Sequence, residues 1–133
     1  LIIQYKLERP LGESLADAYP QRAESWRSRQ STDNIVANLE TIQAMFAVPG
    51  GFGDRMAKGG AGALGKGMVR TFEEAIEIAK AIPVPLSQAV ADAEFRKQVE
   101  ALLEKVRDLR ILVRNPVADE LGIVIGFNSL DGD

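Results

Sequence analysis

Residues 92–114 read DAEFRKQVEALLEKVRDLRILVR, an amphipathic helix from end to end. Phe95, Val99, Leu102, Val106, Leu109 and Val113 recur at spacings of 4, 3, 4, 3 and 4, the seam of a helix in a bundle. Asp92 stands where an N-cap belongs, and Asn115-Pro116 predicts the break. Burying each seam side chain contributes about 1.5–3 kcal/mol. Such a stripe demands matching stripes elsewhere in the chain.

Two more are present. Ile35, Leu39, Ile42 and Phe46 form one face of a helix that begins near Ser31 or Thr32, both good N-caps, with Asp33 in its first turn. Pro49-Gly50-Gly51 ends it. Leu64, Met68, Phe72, Ile76 and Ala79 share a face of another helix, closed by Pro83 and Pro85. Between them lies a glycine-rich zone: 8 of the 12 glycines fall between Gly50 and Gly67. It predicts an irregular or short helical stretch over 52–60. Residues 1–8 read as the last turns of a helix stopped by Pro10 and Gly12, and residues 13–20 as one or two short helical turns ending at Pro20. Residues 21–30 form an ordered connection around Trp26. In the tail, Ile123, Ile125 and Phe127 alternate before the polar end NSLDGD, so 117–133 predicts an extended segment laid over the bundle. The fold class expected is all-α: an antiparallel bundle of about four helices with an extended C-terminal tail, one domain over 1–133.

Composition excludes several kinds of chemistry. The 133 residues contain no cysteine and no histidine. Disulfides, thiolate nucleophiles, Ser-His-Asp and Cys-His catalysis and histidine-ligated zinc are therefore closed to this chain alone. The net charge of -3, from 16 basic and 19 acidic residues, offers no field for nucleic acid. The longest nearly apolar run, Leu121 to Phe127, is far short of a membrane span. The opening Leu1-Ile2-Ile3, then Tyr5 and Leu7, reads as a helix already under way, which predicts a longer parent chain.

Three constellations bear on function. Gly60-Ala61-Gly62-Ala63-Leu64-Gly65 matches G-x-G-x-x-G, but that motif cradles phosphate only when a strand delivers the loop, and residues 54–59 do not read as a strand. A glycine-tolerant helix start is the competing reading. Arg22 followed by Glu24-Ser25-Trp26-Arg27-Ser28-Arg29 places arginines beside an aromatic, which suits either an anion-clamping pocket or a loop anchored by Trp26 whose arginines cap helix ends. Asp131-Gly132-Asp133 supplies hard oxygen donors for a cation, or else an acidic chain end. Tyr5 and Glu8 are candidates for the same cleft as that tail. Opposite charges at i,i+3 (Glu77 with Lys80, Glu94 with Lys97, Glu104 with Arg107) read as solvated faces worth at most ~0.5 kcal/mol a pair.

Three segments together carry a resemblance: Gln4-Tyr5-Lys6-Leu7-Glu8-Arg9-Pro10-Leu11-Gly12, Ala23-Glu24-Ser25-Trp26-Arg27-Ser28, and Leu121-Gly122 through Gly126-Phe127-Asn128-Ser129-Leu130-Asp131-Gly132-Asp133. In order and spacing the chain resembles the C-terminal half of imelysin-like proteins, the family of the insulin-cleaving membrane peptidase and of iron-regulated bacterial envelope proteins. The resemblance implies two helical bundles in a periplasmic parent anchored by lipid, with a site between the bundles. It implies a role in iron or metal acquisition, or in peptide hydrolysis. The family's G-x-H-x-x-E motif belongs to the N-terminal bundle and is absent from this histidine-free chain. The partner implied is that N-terminal bundle, and nucleic acid is not implied. Arg22, Glu24, Ser25, Trp26, Arg27, Asn128, Asp131 and Asp133 would be this half's share of the ligand cleft, with Glu24, Asp131 and Asp133 as oxygen ligands. No cofactor is expected in this chain alone and no residue of it is expected to be catalytic; iron or another divalent metal is expected in the full protein. Two other roles fit the same residues: the substrate-binding half of a metallopeptidase, and a structural or docking module without ligand.

Overall fold

The computed structural model describes residues 1–122. The chain opens with a π-helical segment, Ile2–Glu8, that runs into the short helix α1, Arg9–Leu11. Tight 3₁₀ turns follow at Pro20–Arg22 and Trp26–Ser28. Then come α2 (Ser31–Ala47), α3 (Phe52–Lys58), α4 (Gly62–Ala81), α5 (Leu86–Ala89) and α6 (Arg96–Leu112). A second π-helical segment, Val113–Val117, leads into α7, Ala118–Leu121. The chain is all-α, and no strand occurs among the described residues.

α4 is the centre. It packs α2 on one flank and α6 on the other, and the opening helix closes against α6 and α2. Lys80 Nζ meets Glu40 Oε1 at 2.7 Å, and Gln43 Nε2 donates to the Val69 carbonyl at 3.3 Å. Position 40 thus lies by 80 and 43 by 69, so α2 and α4 run antiparallel. The stripes read from spacing form the core: Ile35, Leu39 and Phe46 from α2, Met68, Phe72, Ile76 and Ala79 from α4, and Val99, Leu102, Val106 and Leu109 from α6 are all buried. Phe46 joins the layers, its ring 5.4 Å from Phe52 and 6.0 Å from Phe72.

The glycine-rich zone is a packing device. The short helix expected over 52–60 is α3, and it lies directly on α4. A Cβ on Gly53 would come within 2.4 Å of the Phe46 carbonyl oxygen, and one on Gly65 within 3.4 Å of the Gly53 Cα. Gly62 opens α4. The G-x-G-x-x-G match is therefore the start of a helix pressed against its neighbour, with α3 and not a strand before it.

Several local expectations are corrected. Neither Ser31 nor Thr32 caps α2 through its side chain: Gln30 precedes the helix, and the Ser31 hydroxyl donates instead to the Glu24 carbonyl. Asp92 does cap, Oδ1 accepting from the N–H groups of Glu94 (2.8 Å) and Phe95 (3.1 Å), but the regular helix begins only at Arg96. Pro10 and Pro116 do not stop their helices. A proline ring crowds the carbonyl four residues back and offers no N–H. The chain accommodates this by widening into π-type turns, and it continues to Leu11 and to Leu121. Gly12, at φ +65°, makes the first real stop, and a Cβ there would meet the Asp17 carbonyl oxygen at 2.0 Å. Residues 13–15 form bends and a hydrogen-bonded turn follows, Asp17 N–H donating to the Ser14 carbonyl at 3.1 Å, while Pro20 opens a 3₁₀ turn instead of ending one. Two of the expected i,i+3 pairs give way to links between helices, Lys80 reaching Glu40 and Arg107 reaching Glu8 at 2.6 Å, and Lys105 outside those pairs links to Glu74 at 3.0 Å. The tail expected to lie extended over the bundle, from residue 123 on, is outside the described residues; over 117–122 the chain is helical and ends in a turn.

Candidate functional site

The loop before α2 is built from its backbone outward. Ala23 is buried, and the Ser31 hydroxyl fastens the Glu24 carbonyl to the start of α2. Asn34 Nδ2 donates to the Ser25 hydroxyl at 3.1 Å, and Ser28 Oγ to the Ser25 carbonyl at 3.0 Å. Ser25 and Arg29 hold left-handed backbone conformations, φ +56° and +61°, on either side of the Trp26–Ser28 turn. Non-glycine residues adopt this region at a cost of about 1 kcal/mol or more, so the surrounding bonds must impose it. Trp26 is half-buried against the core and carries the Arg27 guanidinium over its ring at 4.6 Å.

This anchored loop forms one wall of a cleft of about 940 Å³. Arg22 and Glu24 come from the loop; Tyr5, Lys6 and Arg9 come from the opening helix. Asn38 and Ile42 of α2, with Leu1 and Ile2, complete the lining. Lys6 Nζ is bonded to the Glu24 carboxylate across the cleft, the lysine side chain 15% exposed and the glutamate 49%. Arg9 lies over the Tyr5 ring at 3.8 Å and Arg22 over the Tyr19 ring at 4.4 Å. The cleft thus gathers three cationic side chains and one carboxylate around a partly apolar floor.

Of the residues expected to share a site, Arg22 and Glu24 line the cleft together with Tyr5, while Ser25, Trp26 and Arg27 sit behind it as loop supports. Asn128, Asp131 and Asp133 lie outside the described residues. Glu8 turns to Arg107 and lines a second groove of about 620 Å³, with Ile3, Phe72, Val106 and Val113. Sequence reasoning missed Lys6, Arg9 and Asn38. Tyr5 and Arg9 stand at i,i+4 on the opening helix, a signal that was legible. Asn38 sits on the polar side of α2 and carried none. Among the described residues no three of His, Cys, Asp or Glu come together as a metal ligand set. Nor is any described helix long and apolar enough to cross a membrane.

The elements that build this cleft all fall inside the one stretch recognised by comparison with protein families, residues 2–113, which matches imelysin. The chain belongs to the imelysin family. Comparison with curated proteins gave no match, and comparison with solved structures gave none. In this imelysin-family chain the match takes in both the opening helix and the Trp26 loop, the two segments that face each other across Lys6 and Glu24.

Proposed function

We propose that this chain is the ligand-cleft half of an imelysin-like protein of the bacterial envelope, working in the acquisition of iron or another metal. The observation that carries this reading is the convergence of Tyr5, Lys6 and Arg9 with Arg22 and Glu24 on one open cleft, from segments far apart in sequence, within the family match. Arg22 and Arg9 would orient an anionic ligand. Arg27, stacked on Trp26, would act indirectly by holding the loop. Glu24 would offer one oxygen donor to a metal; the remaining donors, with Asp131 and Asp133 as candidates, would come from elsewhere in the protein. The groove bordered by Ile2, Ile3, Ile42 and Val113 would receive the second bundle of the same parent, in a periplasmic protein tethered by lipid.

The test is titration of the full-length protein with iron and with zinc, followed by calorimetry, beside Glu24→Ala. Saturable binding supports the reading and its absence overturns it. Unaltered affinity in the variant removes Glu24 from the metal's ligands. A peptide-cleavage assay of the same protein with and without chelator separates metal acquisition from the metallopeptidase alternative.

A further inference from the structure

We infer that the part of the cleft formed by Lys6, Arg9 and Arg22 is a subsite for an organic polycarboxylate, with Glu24 as its internal competitor. This rests on the reading of the cleft as the protein's ligand site, and it names the ligand class. A bare cation is disfavoured there, because three positive side chains face a single carboxylate. A multiply charged anion reverses that balance.

The guanidinium groups are set for it. Arg9 and Arg22 each hold the guanidinium carbon over a tyrosine ring, 3.8 and 4.4 Å from its centre. Among the described residues neither guanidinium makes a hydrogen bond or an ion pair, so their N–H groups carry no protein acceptor there. A guanidinium held over a ring has already lost part of its rotamer freedom, and its fork of N–H groups matches a carboxylate in a two-pronged hydrogen bond. Lys6 supplies the second observation. Its side chain is mostly buried, and its partner is the carboxylate of a half-exposed glutamate on the opposite wall. Glu24 therefore occupies the position that a ligand carboxylate would take, and its exposure lets it swing out into water. The apolar floor of Ile2 and Ile42 suits the carbon skeleton between carboxylates. A polycarboxylate is also the kind of anion that chelates ferric iron, which connects a cationic cleft to metal acquisition.

Glu24 now distinguishes the possibilities by sign. A direct metal ligand, when neutralised, weakens the binding of metal; a competitor, when neutralised, strengthens the binding of the polycarboxylate. The experiment is calorimetric titration of the full-length protein with metal-free citrate at low ionic strength, with acetate and inorganic phosphate as comparison probes. Saturable citrate binding is expected, stronger than that of either comparison probe. Arg22→Ala should weaken it about tenfold, as loss of a charge-assisted pair does. Glu24→Gln should tighten it about threefold by freeing Lys6. Both substitutions are at exposed positions, and circular dichroism verifies that each variant remains folded. No saturable citrate binding, unchanged affinity in Arg22→Ala, phosphate preferred over citrate, or weaker binding in Glu24→Gln each overturns the inference. Metal binding without citrate binding ends the inference and leaves the proposed function standing; the absence of both ends both.

Discussion

Arg96 is the most consequential polar residue in the described structure, and replacing it by methionine should be severely destabilising. Its side chain is 8% exposed. Nη1 donates to the Leu11 carbonyl at 2.6 Å and to the Val90 carbonyl at 3.3 Å, and Nη2 to the Gly12 carbonyl at 3.2 Å. Nε pairs with Glu100 at 2.8 Å. The opening helix ends at Gly12, where its last carbonyls lack intrahelical donors. Arg96 supplies those donors from 85 residues away. Methionine keeps much of the aliphatic volume and removes every donor. A charged hydrogen bond contributes about 1.5–3 kcal/mol, and removing one member of a buried charged network costs about 3–5 kcal/mol. We expect a loss of about 4 kcal/mol. For a chain of this length that lowers the melting temperature by roughly 10–18 °C. Arg96→Lys, which keeps the charge but not the fork, should fall between. Glu100→Gln should cost no more than ~0.5 kcal/mol, because that partner is half-exposed. Urea denaturation of the purified proteins, followed by circular dichroism, measures all three. A change below ~1 kcal/mol for Arg96→Met would refute the idea that these carbonyls depend on it.

Gly53→Ala should destabilise by about 1–3 kcal/mol, since its Cβ would strike a backbone oxygen that cannot move aside. Gly67→Ala, in the same glycine-rich zone but with nothing within 4 Å of the new Cβ, should stabilise by up to ~1 kcal/mol; thermal unfolding of the pair separates packing glycines from tolerated ones. The hydrogen bond from Lys105, with its charge, holds the Glu74 carboxyl below the ordinary carboxylate value, Arg70 adding less and burial opposing. A depressed carboxylate contributes stability that is present above its unfolded pKa and lost as pH falls through its folded pKa. Glu74→Gln should therefore flatten the acid limb of the melting-temperature profile between about pH 5 and pH 3 while leaving its shape at neutral pH; an unchanged acid limb would count against the pairing. Trp26 is the only tryptophan, so its fluorescence reports on the loop alone. Its emission should change together with the helical signal during unfolding, and an earlier red shift would show that the loop is not fastened to α2.

The helical stripes were legible because burial leaves a mark at fixed spacing. Val99, Leu102, Val106 and Leu109 could be read as a buried face, and are one. What spacing did not convey were the places where one segment answers another. Ser31 looked like a cap for its own helix, but its hydroxyl was claimed by the Glu24 carbonyl. Pro116 looked like a terminator, because in a regular α-helix it would be one, and the π-type turn that absorbs it has no sequence signal. The glycines looked like flexibility or a phosphate loop until α3 and α4 were seen pressed together at Gly53 and Gly65. In the cleft, the arginine-rich loop was legible from composition and Arg9 from its i,i+4 spacing to Tyr5, while Lys6 was hidden because the wall it pairs with was unknown.

The core and the cleft are also one mechanical problem. Tyr5, Lys6 and Arg9 all belong to the opening helix, and two attachments hold that helix in place. One is apolar, through Leu7 and Leu11, both buried. The other is polar, through Arg96 at the helix end and through Arg107 to Glu8. The opposite wall is fixed separately, by Ser31 and Asn34 on α2. The distance between Lys6 and Glu24 is therefore set largely by contacts that involve neither of the two paired side chains, Ser31 gripping only the Glu24 backbone. A variant such as Arg96→Lys, folded but with a loosened helix end, should weaken citrate binding although it stands outside the cleft. The loss should track the loss of protection of the opening helix in hydrogen exchange. Citrate affinity that is unchanged while that helix exchanges faster would mean that the loop wall alone forms the subsite, with Arg22 at its centre.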